Sequence, residues 1–209
     1  MNTHTTSAQL APPSDWVARW TKLIPTDGTV LDVACGRGRH MKWFHEQKLR
    51  VVGIDRDPEA LKAARNWGEV RQADIESAVW PLKTEFSDYR QFEAVVVTNY
   101  LWRPLFPSLL ASVAEGGVFI YETFTQGNEV FGKPSRPDFL LRPGELLDIC
   151  HQGLGFQVVA YESGILKSPD RCVQRLAAIK MSRVAKEQQS EVQSETSNPA
   201  IWAQKAAQL

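Results

Sequence analysis

The chain has 209 residues, 43% of them hydrophobic, which suits one domain with a substantial core rather than two. Lys and Arg number 24 against 24 Asp and Glu, so no global field draws the chain to nucleic acid or to an anionic membrane, and a nucleic-acid role would need a local patch. Cys35, Cys150 and Cys172 are too few and too scattered for a disulfide framework or a zinc site, so no metal is expected and a reducing compartment is the natural setting.

The opening MNTHTTSAQLAPPS has neither a basic start nor an apolar run, and no stretch reaches the ~20 apolar residues of a membrane span. The expectation is a soluble cytoplasmic protein with no membrane partner, whose residues 1–13 form a flexible arm. From Ser14, a plausible N-cap, SDWVARWTKLI places Trp16, Val17, Trp20, Leu23 and Ile24 on one helical stripe. Trp16 and Trp20 have two readings, core residues or a lid over a ligand.

Short apolar or β-branched runs follow at 28–33, 50–55, 69–74, 92–99 and 116–123. Their lack of strict alternation predicts strands buried on both faces of a parallel sheet. Between them, a helix is expected from near Arg39, and DPEALKAARNW predicts another with Asp57 as N-cap and Pro58 at the first helical position. RPLFPSLLASVA is a weaker helix interrupted by Pro107. After a long loop, Pro143 marks the start of a further helix. Runs at 156–165 and 171–180 are joined by the short LKSPD, which permits a hairpin but not a helical crossover, so the last pair is antiparallel. Residues 14–182 thus read as a single domain, and the polar stretch 183–209 reads as a disordered tail.

The chemistry is concentrated in LDVACGRGRH, residues 31–40. A strand, a glycine turn and then a helix bring backbone N–H groups up to a ligand, and Gly36 and Gly38 allow close approach. The dinucleotide fingerprint would need a third glycine where Met41 stands. Instead, acids lie at three successive strand ends: Asp32, Asp55 in VVGID and Asp74 in QADIE. An acid at the second strand tip can accept hydrogen bonds from both ribose hydroxyls. With no basic residue fixed among them for a pyrophosphate, the three acids suit a cationic, phosphate-free nucleoside.

These stretches resemble class I S-adenosylmethionine-dependent methyltransferases: VLDVACGRGRH is similar to their first motif, VVGIDRDPEAL to their second, and QADIE to the motif on strand three. The resemblance spans roughly residues 28–180. It implies a Rossmann-like α/β fold with helices on both faces of a seven-stranded, mostly parallel sheet in the order 3-2-1-4-5-7-6, strand 7 being antiparallel. It further implies S-adenosylmethionine as cofactor and S-adenosylhomocysteine as product. The backbone at Ala34, Gly36 and Gly38 would pass under the methionine part, Asp55 would bind the ribose, and Asp74 with Ile75 would hold adenine; Asp32, Arg56 and Thr98 are further cofactor candidates. Many members have glycine at the position of Ala34, so the first turn is expected to be tighter or displaced. Asp32 has a second reading, a structural acid that accepts backbone N–H bonds in the turn. Arg37 and Arg39 can be merely solvated, and His40 and His45 read as surface or packing residues.

Acceptor sites in such sheets form at the carboxyl ends of strands four and five. The strand-four end, Thr98-Asn99-Tyr100, lacks the Asn-Pro-Pro-Tyr signature of enzymes that methylate nucleic-acid amino groups. Asn99, Tyr100, Arg103, Asn128 and Arg136 are candidate substrate contacts. Tyr100 and Glu122 are candidate catalytic groups, Glu122 to take a proton and Arg103 with Arg136 to form an anion-selective chamber. The compact size and the CGRGRH turn are similar to the tellurite-resistance methyltransferases. The expected activity is in-line methyl transfer to a small-molecule, anionic acceptor by a monomer or homodimer. Two alternatives stay open: an RNA or protein methyltransferase with a basic rim from Arg103, Arg136, Arg142 and Arg171, and a non-catalytic S-adenosylmethionine-binding module.

Overall fold

All seven expected runs form strands. The computed structural model describes residues 10–77, 79–84, 87, 89–151 and 155–182. The expected tail and residues 1–9 of the expected arm lie outside the described residues. Strands β1 (Thr29–Val33), β2 (Arg50–Asp55), β3 (Glu69–Gln72), β4 (Phe92–Thr98), β5 (Val113–Phe124), β6 (Phe156–Leu166) and β7 (Arg171–Lys180) make one sheet in the order β3-β2-β1-β4-β5-β7-β6. The pairs from β3 through β5 are parallel, and β7 runs antiparallel to both its neighbours. This is the doubly wound order expected from the element sequence and the short LKSPD turn.

Strand ends differ from expectation where a side chain or a strained residue captures the backbone. Strand β3 stops at Gln72 because the Asp74 carboxylate accepts the Glu76 N–H (3.1 Å) and turns the chain. Strand β4 stops at Thr98 because Asn99 enters the left-handed region (φ +54°). Strand β5 begins earlier than expected, at Val113, and a register shift separates its Phe92–Val113 pair from the Ala94–Val118 pair, with Gly116 at φ +75° in between.

Helices α1 (Asp15–Trp20), α2 (Arg39–Glu46) and α3 (Pro58–Ala64) cover one face of the sheet; α4 (Phe106–Ala111) and α5 (Glu145–His151) cover the other. Their starts follow local chemistry. The Ser14 hydroxyl accepts the Trp16 N–H, and the Asp57 carboxylate accepts those of Glu59 and Ala60 with Pro58 in the first turn. Pro107 sits in the first turn of α4, where no N–H is needed, rather than breaking a longer helix; a 3-10 turn, Arg103–Leu105, precedes it. Pro143 lies two residues before α5, whose first residue is Glu145.

Alternation along β5 sorts side chains between the faces. Val118 and Ile120 join Trp16, Met41 and Phe44 in the core under α1 and α2, whereas Phe119 and Tyr121 join Leu109 and Leu146 on the other side. Trp16 and Trp20 are core residues, 1% and 9% exposed and edge-to-face at 5.6 Å. Gly53 lets α2 and the turn after β1 seat on β2, since a Cβ there would meet Met41 Sδ at 2.3 Å and Cys35 Sγ at 2.8 Å.

A polar row crosses this otherwise apolar face. Thr98, Glu122, Arg175 and Glu162 lie in register on β4, β5, β7 and β6. Glu122, 2% exposed, accepts from the Ser14 hydroxyl at 2.8 Å and has Arg175 Nη1 at 3.7 Å. Arg175 also pairs with Glu162 and with Asp15 at 3.0 Å, and its guanidinium lies 4.8 Å from the Trp16 ring. The start of α1 is therefore pinned to the sheet through charges rather than through apolar contact alone. Replacing Arg175 with Leu leaves Glu122 buried and unpaired, an error that costs roughly 3–5 kcal/mol. Urea denaturation should show Arg175→Leu losing about that much, with much of it recovered in Arg175→Leu/Glu122→Gln; a loss below about 1 kcal/mol would show the row to be passive.

Candidate active site

The glycine turn is shaped by three left-handed residues. Past β1 the chain takes φ +53° at Ala34, +54° at Gly36 and +85° at Gly38. Gly38 is demanded by packing, because a Cβ would lie 2.9 Å from Ala64 Cα and hold α2 away from α3. Gly36 is different: a Cβ there would meet nothing within 4 Å, so the space before its backbone is open to a ligand. The turn is held by Asp55, whose Oδ2 accepts the Gly36 N–H at 2.8 Å and whose Oδ1 accepts the Asp57 N–H at 2.9 Å. The acid at the tip of β2 thus orders both the turn and the start of α3.

Behind the turn lies Asp32, 1% exposed. Its Oδ2 has no partner among the described residues, and its other stabilising contacts are the nearby Arg39 charge and the Met41 N–H. Burial, reinforced by the neighbouring Asp55, pushes the Asp32 carboxyl up to about 7. His40 is buried too. Its Nε2 accepts the Ser14 N–H at 3.1 Å, so the ring proton sits on Nδ1, 3.4 Å from Thr98 Oγ1. Burial and the Arg39 charge depress it to about 3, and it stays neutral at physiological pH. It is a packing residue, not a surface one. Cys35 is buried in the turn with its thiol pushed up by burial, which makes it inert.

A cavity of about 370 Å³ runs across the carboxyl ends of five strands. At one end Asp55, Arg56, Asp74, Ile75 and Glu76 line it from β2 and β3; Ala34 follows from β1, then Asn99, Tyr100 and Leu101 from β4 and Thr123 and Phe124 from β5. Pro134 and Phe139, from the loop after β5, close the far end. The Tyr100 hydroxyl donates to Glu76 Oε1 at 3.3 Å, which joins the loops after β3 and β4 along one wall. Burial and the adjacent Glu76 charge raise the Tyr100 phenol above its ordinary value, so it serves as a donor and not as a base. Asn99 is exposed, and its side-chain amide has no partner among the described residues.

Several candidate residues lie elsewhere. Thr98 and Glu122 fall on the opposite phase of their strands from the cavity-lining Thr123, facing His40 and Arg175; Glu122 is bound into the polar row and does not reach the cavity. The anion-selective chamber does not form. Arg103 commits four of its five N–H donors, with bonds to both Glu145 oxygens at 2.7 and 2.9 Å and to the Asp138 and Leu140 carbonyls at 3.0 and 2.9 Å. Although burial opposes it, that pairing and the Arg142 N–H hold the Glu145 carboxyl below its ordinary value. Arg136 pairs with Asp138 at 3.0 Å in solvent. Asn128, 1% exposed, donates to the Pro134 carbonyl and accepts the Cys172 N–H, so it fixes the loop from inside. Glu76, Leu101, Thr123, Phe124, Pro134 and Phe139 escaped the sequence reading. Leu101, Thr123 and Phe124 adjoin strand-end candidates, whereas nothing local in the sequence singles out Pro134 or Phe139.

Comparison with known proteins agrees with this geometry. A family described as a methyltransferase domain matches residues 30–116, the span that carries the glycine turn and the acids. In fold, the chain is similar to a SAM-dependent methyltransferase from Methanosarcina mazei, 13% identical over 82% of this chain and 99% of that one with a TM-score of 0.61. It is likewise similar to TehB from Haemophilus influenzae, 17% identical over 82% of this chain and 63% of that one with a TM-score of 0.62. A short stretch of 37 residues is 57% identical to ribosomal RNA small subunit methyltransferase H of Gemmatimonas aurantiaca, covering 18% of this chain and 12% of that protein. Over residues 30–116 the chain matches a methyltransferase domain, and its fold is that of SAM-dependent methyltransferases of known structure. The site fits that cofactor: open space before Gly36, the unpartnered Asp32 oxygen behind the turn, carboxylates at Asp55 and Asp74, and apolar Ile75 beside them. Among the described residues no group of acids, histidines and cysteines is placed to hold a metal, and no helix is long and apolar enough to cross a membrane.

Ala34 occupies a conformation that costs a non-glycine residue about 1–2 kcal/mol, partly offset by the greater unfolded-state freedom of glycine. Ala34→Gly should raise stability by roughly 0.5–1 kcal/mol in thermal denaturation; a destabilised variant would mean that the methyl group is needed for packing. Asp32 keeps a proton in the folded state up to about 7 that the unfolded chain loses near the ordinary aspartate value of 3.8. Its contribution to stability is therefore fully present below 3.8 and is lost as pH rises through 7. A cationic cofactor favours the ionised acid, so S-adenosylmethionine binding should release protons and tighten as pH rises from about 6 to 8. Titration calorimetry in buffers of different ionisation heat should show this in the native chain and not in Asp32→Asn.

Proposed function

We propose that this protein transfers the methyl group of S-adenosylmethionine to a small-molecule acceptor. The observation that carries the reading is the single cavity that joins the glycine turn and the strand-end acids to a carbon-rich mouth under the loop after β5. Bound S-adenosylmethionine supplies an electrophilic methyl group on a sulfonium, and orientation of acceptor against donor is worth up to about 7–11 kcal/mol. In this assignment Asp55 accepts from the ribose hydroxyls, and Asp74 with Ile75 receives the adenine. Ala34, Gly36 and Gly38 pass beneath the methionine portion, and Arg56 borders the ribose side. Asn99, at the carboxyl end of β4 with a free amide, is the polar group that positions the acceptor, and Tyr100 forms the wall between donor and acceptor. Neither is asked to act as a strong base.

The alternative of an RNA acceptor relied on a basic rim. Its four arginines are each engaged: Arg103 with Glu145, Arg136 with Asp138, Arg142 with Glu145 at 3.5 Å, and Arg171 with the Pro169 carbonyl. That arrangement favours the small-molecule reading, and the short likeness to a ribosomal RNA methyltransferase spans too little of either chain to bear on the acceptor.

Incubation of the protein with methyl-labelled S-adenosylmethionine and separated cell metabolites and RNA should place the label in the metabolite fraction. Label retained on RNA would reverse the choice of acceptor. Asp55→Ala removes the acceptor for ribose and frees the Gly36 N–H at the same time, so cofactor affinity should fall by roughly 2–4 kcal/mol. Unchanged calorimetric affinity in a folded Asp55→Ala protein would remove Asp55 from the site.

A further inference from the structure

We infer that the acceptor half of the cavity takes an uncharged, largely apolar molecule, a reading that rests on the methyltransferase assignment above and narrows its substrate class. Beyond Ala34 the polar Asn99, Tyr100 and Thr123 are joined by a larger apolar wall: Leu101 from the loop after β4, Phe124 from β5, and Pro134 and Phe139 from the loop that follows. Phe139 is 43% exposed, and in the loops after β5 and β4 Phe131 and Trp102 show 40% and 36% of their surface. Large side chains left in water beside a concave site mark it for an apolar visitor.

Charge argues the same way. The ionisable side chains lining the cavity are the acids Asp55, Asp74 and Glu76 and the single cation Arg56, all at the cofactor end apart from the protonated Tyr100. An anionic acceptor would meet net negative charge there and no cation lining its own end. Arg103 gives four of its five N–H donors to Glu145, Asp138 and Leu140, Arg136 is neutralised by Asp138, and the exposed Lys133 beside Pro134 does not line the cavity. The guanidinium of Arg136 lies 5.4 Å from the Phe139 ring and covers it rather than presenting a donor to the cavity.

The apolar end is also rigid. Its loop is fixed at Pro134 by Asn128, at Asp138 and Leu140 by Arg103, and at Leu141 by the Thr125 hydroxyl at 2.8 Å. Residues that looked like substrate contacts are the struts that hold this apolar wall in place. A preformed wall loses little freedom when a ligand arrives, so its shape and lack of charge govern selection.

The test uses the full chain saturated with S-adenosylhomocysteine and three probes of one ring size: p-cresol, 4-hydroxyphenylacetate and tyramine. Calorimetry should give p-cresol a dissociation constant at least tenfold below that of 4-hydroxyphenylacetate and clearly below that of tyramine. Phe139→Ala should weaken p-cresol at least fivefold while leaving S-adenosylhomocysteine affinity within twofold; Arg136→Ala should change neither. Equal or tighter binding of either charged probe, absence of p-cresol binding to the loaded protein, or indifference to Phe139→Ala overturns the inference alone. Failure of S-adenosylhomocysteine itself to bind overturns the methyltransferase reading beneath it.

Discussion

One carboxylate organises the site. Asp55 accepts one backbone N–H from the glycine turn and another from the start of α3, and so couples the ends of β1 and β2 before any ligand arrives. Without it the left-handed path through Ala34, Gly36 and Gly38 has no anchor on the neighbouring strand beyond the Cys35 N–H to Ile54 carbonyl bond at 3.1 Å. Because hydrogen bonds to a charged acceptor are about twice as strong as neutral ones, this choice of residue holds a strained turn at modest cost. The same geometry leaves the space before Gly36 open, next to Ala34, which lines the cavity.

The loop after β5 shows a complementary strategy, in which buried polar groups supply rigidity and apolar ones supply recognition. Arg103, Asn128 and Thr125 direct their hydrogen bonds to the carbonyls of residues 134–141 or to groups that hold them, and the wall that results is made of Pro134 and Phe139. On the opposite face, Glu122 and Arg175 fix α1 to the sheet in a similar manner. Charged residues near the site thus act mainly as ties. The carboxylates that face the cavity are grouped at one end, which gives a short pocket both a polar and an apolar half.

Much of this was legible in the sequence wherever the physics is local. The caps Ser14 and Asp57, the glycines of LDVACGRGRH, the acids at successive strand ends and the impossibility of a crossover in LKSPD are all statements about neighbours within a few residues, and each led to the element found. What the sequence withheld was phase and distance. The run GGVFIYET is apolar on both sides, so nothing in it told that Tyr121 and Thr123 face one layer while Glu122 faces the other. Arg103 and Asn128 looked like ligand contacts because their partners, Glu145 and Cys172, are 42 and 44 residues away. Phe139 lay unremarked in a loop, since only the folded chain brings it opposite Leu101 and Phe124.

The most direct test of the account is a crystal structure of the protein with S-adenosylhomocysteine. The ribose should lie on Asp55, the adenine beside Asp74 and Ile75, and the sulfur near Ala34 and Asn99, facing the Phe124 and Phe139 end of the cavity. A nucleoside seated instead in the cleft between residues 10–13 and α2, beside Arg37, Trp43 and Trp67, would contradict it.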